Sequence, residues 1–149
     1  MENRVPQELP PLGLLAARLA AVLEAELFSQ LRSSGFPDLR PRHASLLTTL
    51  EPSGARLTVL AERTGISPQA MGEVIDDLER RGYLERTPDP TDRRARLIGF
   101  TPRGLQALTE CLSIAERIDS RLVTQVGRAP YDAARRVLAE FLASGRPST

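Results

Sequence analysis

A tight turn between two short amphipathic segments is the feature that most restricts the fold of this chain. Leu60 and Ala61 lie on one face of a first predicted helix, and Gly65 follows where the backbone must take a left-handed conformation. Ser67-Pro68 then supplies a capping hydroxyl and a proline at the first position of a second helix. The apolar residues of that helix recur at three- and four-residue spacing: Met71, Val74, Ile75 and Leu78. This pattern predicts a helix-turn-helix.

The second helix of the motif is predicted to present a polar surface to the outside. In helix-turn-helix proteins the N-terminal end and outer face of this helix enter the major groove of DNA. The residues expected there are Ser67, Pro68, Gln69, Ala70, Gly72, Glu73, Asp76 and Asp77. Arg80, at the end of the helix, is added as a predicted DNA contact.

A β-hairpin is predicted after the second helix, which makes the motif a winged one. Gly82 can end the helix, and residues 83–86 have the aromatic and branched character of a short strand. Residues 87–92 hold two prolines and two aspartates, so we expect a turn there rather than regular structure. Arg93, Arg94 and Arg96 follow at the hairpin tip. Guanidinium groups in that place suit the narrow, electronegative minor groove.

The distribution of charge supports a nucleic-acid partner better than the net charge of +1 does. Residues 80–104 contain seven arginines and three acidic residues, so this segment carries +4 and the rest of the chain carries −3. A local basic strip on a mildly acidic body is typical of a protein that binds a DNA groove.

Residues 57–104 resemble the winged helix-turn-helix of the MarR family of bacterial transcriptional regulators, and the flanking helices match that family in number and length. The resemblance is carried by Leu60-Ala61, Ser67, Leu78-Glu79, Arg81-Gly82-Tyr83, Glu85-Arg86, Asp89-Pro90, Asp92, Arg94, Leu97, Thr101 and Gly104. These include the family's Asp-x-x-Asp-x-Arg wing signature and a Thr-x-x-Gly sequence after it. The resemblance implies that Arg94 is the wing's DNA contact, with Asp92 orienting it. Arg93 and Arg96 are more generic phosphate contacts or solvated side chains.

Helices are predicted on both sides of the winged segment, which makes the fold mostly α (α+β), with six helices and a small β-hairpin. The flanking helices are predicted at residues 12–31, 41–50, 102–126 and 131–143. In the family, the first and the last two helices intertwine with a second subunit. We therefore expect a disordered arm at 1–10, a helical dimerisation region at 11–35 and 102–145, and the DNA-binding domain at 39–101. A two-fold homodimer would place its two recognition helices ~34 Å apart on a near-palindromic site.

Composition excludes several classes of protein. The 149 residues are 41% hydrophobic and long enough for a core, yet no run approaches the ~18 apolar residues of a membrane span. The N-terminus lacks a signal-peptide core, so we expect a cytoplasmic protein. A single cysteine, Cys111, excludes an internal disulfide framework and a multi-thiolate metal site. The chain has no glycine-rich phosphate loop, nucleophile–histidine pair or metal-ligand cluster, so no enzyme activity, metal or cofactor is predicted.

Acidic residues on the second helix of the motif set a limit on the expected DNA affinity. They are Glu73, Asp76, Asp77 and Glu79. Carboxylates near phosphates repel the polyanion, although these acids can pair with Arg80 and Arg81 along the helix. A glutamate can also accept a hydrogen bond from N4 of cytosine. We expect modest affinity that depends on the wing, Ser67 and Gln69, and an effect of Glu73 on base preference.

His43 and Cys111 each allow a structural and a functional interpretation. A lone histidine is more often structural, but His43 could line the crevice in which many family members bind small aromatic effectors. Cys111 lies among apolar residues and is expected to be a buried thiol. The favoured function is a ligand-responsive homodimeric repressor that binds double-stranded DNA. The alternative is a winged-helix module that dimerises and binds proteins without sequence-specific DNA binding.

Overall fold

The computed structural model describes residues 8–144. Most of the predicted arm at residues 1–10, and the tail after residue 144, lie outside the described residues. Six α-helices and one antiparallel hairpin follow in this order: α1 (Leu12–Ser33), α2 (Ala44–Thr49), α3 (Leu57–Thr64), α4 (Pro68–Arg80), β1 (Leu84–Asp89), β2 (Asp92–Phe100), α5 (Pro102–Val126) and α6 (Arg128–Ser144). The predicted mostly α fold, with six helices and a small hairpin, is confirmed. None of the helices between residues 8 and 144 combines the length and the apolar character that crossing a membrane requires.

The segment predicted as one helix at residues 41–50 is divided in two. Pro41–His43 forms a 3₁₀ turn, and α2 begins at Ala44. The turn is held by the His43 side chain, because its Nδ1 accepts the backbone N–H of Arg40 at 3.1 Å. This bond draws the imidazole ring back over the turn, where it is fully buried.

The prediction that residues 87–92 have no regular structure is wrong for four of the six. β1 continues to Asp89 and β2 begins at Asp92, so only Pro90 and Thr91 lie outside the strands. Pro88 is tolerated within β1 because β1 has a neighbouring strand on one side only, and proline is confined to such edge strands. The register shifts next to the turn, because Pro88 lies opposite Arg96 and Asp89 opposite Asp92, which leaves residues 93–95 of β2 without a partner on β1.

The chain forms two compact units that divide after Leu112. The first contains α1 to α4, the hairpin and the start of α5, and the second contains the rest of α5 and α6. Buried apolar side chains of the first unit include Leu31, Leu39, Leu46, Leu60, Met71, Ile75, Leu78, Tyr83, Leu84 and Ile98. They come from every element of the helix-turn-helix, so α4 and the hairpin are fixed to one core. The expected functional division into 11–35 with 102–145 and 39–101 stays a prediction.

Candidate nucleic-acid interface

The N-terminal end of α4 has the predicted cap. Gly65 has a φ of 69°, in the left-handed region, and so ends α3. The Ser67 hydroxyl accepts the backbone N–H of Ala70 at 3.2 Å, and Pro68 follows at the first helical position. Ser67, Pro68 and Gln69 are exposed, whereas Ala70 and Gly72 are half-buried. The start of α4 is therefore a rigid and accessible surface.

The outward face of α4 is formed by four exposed residues at spacings of four, three and four: Gln69, Glu73, Asp76 and Arg80. We call these four residues the outer stripe of α4. They lie opposite the apolar residues that face the core, as the helical period requires. The prediction that Asp77 belongs to this face is wrong, because Asp77 is only 4% exposed.

Asp77 is buried at the flank of α4 because groups from other elements surround its carboxylate. Oδ2 lies 3.0 Å from His43 Nε2 and pairs with Arg42, while Oδ1 accepts bonds from Arg81 Nε at 2.9 Å and Arg80 at 3.2 Å. Burial raises the pKa of this carboxyl, but the bonds from Arg81, His43 and Arg42 outweigh it and hold the pKa at about 2. Asp77 is therefore ionised, and it joins α4 to the turn before α2.

His43 supplies the neutral member of this cluster. Its Nδ1 accepts the N–H of Arg40, so the ring proton is on Nε2, which donates to Asp77. Burial lowers the pKa of His43 below its ordinary value, against the opposing effect of Asp77. Because the ring has no exposed surface and both nitrogens have protein partners, the structural interpretation of His43 is the better supported one.

A second cluster of ion pairs joins α4 to the wing. Arg86, on β1, binds Asp76 Oδ1 at 2.5 Å and also pairs with Glu79. The sequence placed Arg86 in the predicted strand and in the family resemblance but did not reveal this role, because its partners lie seven and ten residues away on another element. The expected pairing of the α4 acids with arginines along the helix is found at Asp77, whose partners include Arg80 and Arg81.

Glu73 differs from the other acidic residues of α4. Asp76, Asp77 and Glu79 each pair with at least one arginine. Glu73 is exposed and has no hydrogen bond or ion pair within residues 8–144. The repulsion expected between α4 and DNA is therefore reduced at three of the four carboxylates and remains at Glu73.

The wing is fixed at its base by Asp89, a role that sequence reasoning did not assign. Asp89 accepts the Thr91 hydroxyl at 2.6 Å and the Thr91 backbone N–H at 2.8 Å, and it pairs with Arg56 at 2.6 Å. The hydrogen bonds from Thr91, with a further one from Arg56, lower the pKa of this carboxyl to about 2. Because Arg56 immediately precedes α3, this pair joins the hairpin turn to the helix-turn-helix.

The three wing arginines have no partners among residues 8–144. The side chains of Arg93, Arg94 and Arg96 are exposed, and none of them makes an ion pair or side-chain hydrogen bond within the described part of the chain. Asp92 Oδ1 accepts the backbone N–H of Arg94 at 3.0 Å. Asp92 thus fixes the backbone beneath Arg94 rather than its guanidinium group, which differs from the orienting contact that the resemblance implied.

The hairpin also packs closely against the start of α5. The Thr101 hydroxyl donates to the Gly82 carbonyl at 2.5 Å and accepts the N–H of Gly104 at 3.0 Å. A Cβ on residue 104 would overlap the carbonyl oxygen of Tyr83, so only glycine fits there. These contacts explain the Thr-x-x-Gly sequence in physical terms.

Tyr83 anchors this junction from inside. Its ring is fully buried, its hydroxyl donates to Asp38 Oδ1 at 2.5 Å, and the Arg103 guanidinium lies 4.8 Å from the ring centroid. Burial raises the pKa of Asp38, but the bond from Tyr83 and the nearby arginines lower it below its ordinary value. Asp38 is therefore held in its charged form at the base of the wing.

Comparison with known proteins agrees with this geometry. Residues 38–95, which contain α2 to α4 and most of the hairpin, match the model of the MarR family. The chain is therefore similar to this family over 58 of its 149 residues, the part that holds the helix-turn-helix and most of the hairpin. The HTH-type transcriptional repressor Rv2887 of Mycobacterium tuberculosis is 27% identical over 131 residues, which are 88% of this chain and 93% of Rv2887. The transcriptional regulator HosA of Escherichia coli O111:H- is 26% identical over 88 residues, which are 58% of this chain and 65% of HosA.

Solved structures match the fold over nearly the whole chain. The transcriptional repressor CouR, bound to a 23-mer DNA duplex, superposes with a TM-score of 0.71 at 28% identity, and the match covers 91% of this chain and 99% of CouR. A MarR-family regulator from Rhodococcus sp. RHA1 superposes with a TM-score of 0.71 at 24% identity, covering 95% of this chain and 99% of its own. The chain thus shares its fold with these two regulators.

Proposed function

We propose that this chain is a MarR-family repressor that binds double-stranded DNA in a sequence-specific manner, with α4 in the major groove and the wing in the minor groove. One observation carries the proposal: Arg93, Arg94 and Arg96 are exposed on one strand and have no partners within residues 8–144. Arginines without internal partners are free to displace the cations that surround DNA phosphates. The proposed contacts remain Ser67, Pro68, Gln69, Ala70, Gly72, Glu73, Arg80, Asp92, Arg93, Arg94 and Arg96, with Asp92 acting through the backbone.

Two relatives support this proposal. CouR is named a repressor and is bound to a DNA duplex in its structure, and Rv2887 is also named a repressor. These relatives make duplex DNA the first partner to test.

We propose that the active form is a homodimer. In the first unit, α1 exposes Leu12, Leu14, Leu19 and Val22. In the second unit, α6 exposes Val137, Phe141 and Leu142. Monomeric proteins rarely leave contiguous apolar surface of this kind uncovered. A two-fold dimer would cover such helices and require a near-palindromic operator with half-sites ~34 Å apart.

The response to an effector rests on the family resemblance alone. We propose that a small aromatic ligand lowers DNA affinity by favouring a dimer whose half-site spacing does not fit the operator. Because His43 is buried and fully hydrogen-bonded, we do not place it among the residues that would touch such a ligand.

The test is a titration of the protein against a duplex from its own upstream intergenic region and against a scrambled duplex of equal length and composition. Binding is measured between ~50 and ~200 mM salt. Arg94→Ala removes one phosphate contact from each protomer, so the slope of log affinity against log salt should fall by about 2. Arg32→Ala, an exposed position at the end of α1 and away from its exposed apolar residues, makes the same charge change outside the wing and should leave the slope unchanged.

The outcomes separate the proposal from its alternative. Tight binding to the upstream duplex, weak binding to the scrambled one and a smaller slope for Arg94→Ala would support a DNA-binding regulator. Equal affinities of wild type and Arg94→Ala at moderate salt would instead favour a module that binds proteins.

A further inference from the structure

The outer stripe of α4 presents two free polar side chains and two occupied ones. Asp76 is bound by Arg86 at 2.5 Å, and Arg80 donates to Asp77 at 3.2 Å. Gln69 and Glu73 are exposed and have no hydrogen-bond partner within the described residues. They are therefore the two residues of the outer stripe that are available to read bases.

We propose that Glu73 is a specificity-determining residue that selects a cytosine, by accepting a hydrogen bond from its N4 amino group in the major groove. The inference rests on the proposed DNA binding of α4. A carboxylate can only accept hydrogen bonds, and an ionised one close to phosphates is unfavourable unless it meets a donor. In the major groove the donors are cytosine N4 and adenine N6, and adenine N6 lies beside the acceptor N7, which repels a carboxylate.

The neighbouring ion pairs explain why Glu73 alone has this role. Arg86 pairs with both Asp76 and Glu79, and Arg42, Arg80 and Arg81 pair with Asp77. If all four carboxylates of α4 were free, the helix would repel DNA whatever its sequence. With three of them paired, the remaining carboxylate adds a repulsion that a cytosine can relieve and other bases cannot.

The helix geometry also sets the position of this cytosine. Gln69 and Glu73 are separated by four residues, or ~6 Å along the helix axis. Successive base pairs are ~3.4 Å apart, so the two side chains should contact bases one or two pairs apart. Glutamine favours adenine, which it can bind at N6 and N7. Each half-site should then contain an adenine read by Gln69 and a cytosine one or two base pairs away.

Selection from a pool of randomised duplexes tests the proposal, using full-length wild type, Glu73→Gln and Glu62→Gln. Glu62→Gln is the matched control, because Glu62 is exposed and lies on α3 rather than on the outer stripe. Wild type should favour cytosine at one position of each half-site by about fivefold or more. Glu73→Gln should lose that preference, with adenine gaining, while the other positions stay as in wild type. Glu62→Gln should select the wild-type sequence.

The possible failures are distinguishable. If wild type and Glu73→Gln prefer the same base at every position, and the variant only binds all duplexes more tightly, the role of Glu73 in base selection is overturned and DNA binding stands. If wild type enriches no sequence at all, sequence-specific binding is refuted and the inference with it. Equal far-UV circular dichroism of the three proteins shows that the exposed substitutions leave the fold intact.

Discussion

Replacement of Asp77 by asparagine should destabilise the protein far more than the same change at Asp76, its neighbour in the sequence. The Asp77 carboxylate is buried and bound by three arginines and His43. Asparagine has the shape of aspartate but no negative charge, and its NH2 group would place N–H donors against the N–H donors of the guanidinium groups. Removing one partner of a buried ion pair usually costs ~3–5 kcal/mol. The side chains of Arg42 and Arg80 are 60% and 76% exposed, so water can replace part of their lost bonding to Asp77. We therefore expect the free energy of unfolding to fall by about 3 kcal/mol, the lower end of this range.

The assay is urea unfolding followed by circular dichroism at one fixed protein concentration, because dimerisation makes apparent stability depend on concentration. Asp76→Asn is the control. Its carboxylate is 61% exposed and pairs with Arg86, and exposed pairs contribute ~0–1 kcal/mol. At pH 7 the two variants should therefore differ by about 2 kcal/mol or more in the free energy of unfolding.

The pH dependence provides an independent check. The pKa of Asp77 is about 2 in the folded protein, against an ordinary value of 3.8. The folded state therefore binds fewer protons, so the stabilisation by this carboxylate is fully present above pH 3.8 and is lost as the pH falls through about 2. The difference in the free energy of unfolding between wild type and Asp77→Asn should therefore become smaller below pH 4. Two results would refute this account. One is an equal loss of unfolding free energy in Asp76→Asn and Asp77→Asn at pH 7. The other is a difference in unfolding free energy between wild type and Asp77→Asn that stays constant down to pH 2.

Two further predictions concern the wing and its attachment. Gly104→Ala should reduce the free energy of unfolding by more than ~3 kcal/mol, because its Cβ would overlap the Tyr83 carbonyl oxygen. Gly13→Ala is the control, because nothing lies near its Cβ on α1, and it should be neutral or stabilising. Thermal unfolding measures both variants. Asp89→Asn should weaken the ion pair with Arg56 and loosen the hairpin. In the duplex titration described above, the affinity should fall at least severalfold, while the helix content changes little. Unchanged affinity would show that the wing does not need this anchor.

Local signals in the sequence were enough to predict the helix-turn-helix. The left-handed Gly65 and the Ser67 cap act within three residues of their own position, and both are confirmed. Gly104 was identified through the family sequence, and its physical reason, a close approach to the Tyr83 backbone, appears only in the folded chain. Features whose cause is a short stretch of backbone were therefore available from the sequence.

The assignments that failed depend on contacts between distant residues. Asp77 follows Asp76 in the sequence and looks equally exposed, but it lies at the flank of the apolar face of α4, where the turn before α2 covers it. Its partner His43 is 34 residues away. Arg86 similarly meets Asp76 across ten residues and a change of secondary structure. Periodicity gives the direction of a side chain relative to its own helix, but does not reveal which other element covers it.

The fold also changes how the basic strip should be counted. Seven arginines between residues 80 and 104 suggested a strongly basic surface. Four of them have internal partners, and those that remain without one within the described residues are all on β2. A dimer would thus offer six free wing guanidinium groups, which limits the wing's share of the salt slope to about 5. In the proposed complex, affinity from phosphates is then concentrated in the wing. The four acids of α4 are balanced by Arg80 and by the bound Arg42, Arg81 and Arg86, so α4 is left to discriminate between bases. Loss of an arginine from the wing should therefore weaken binding to all duplexes, and a change at Glu73 should alter the sequence that is bound.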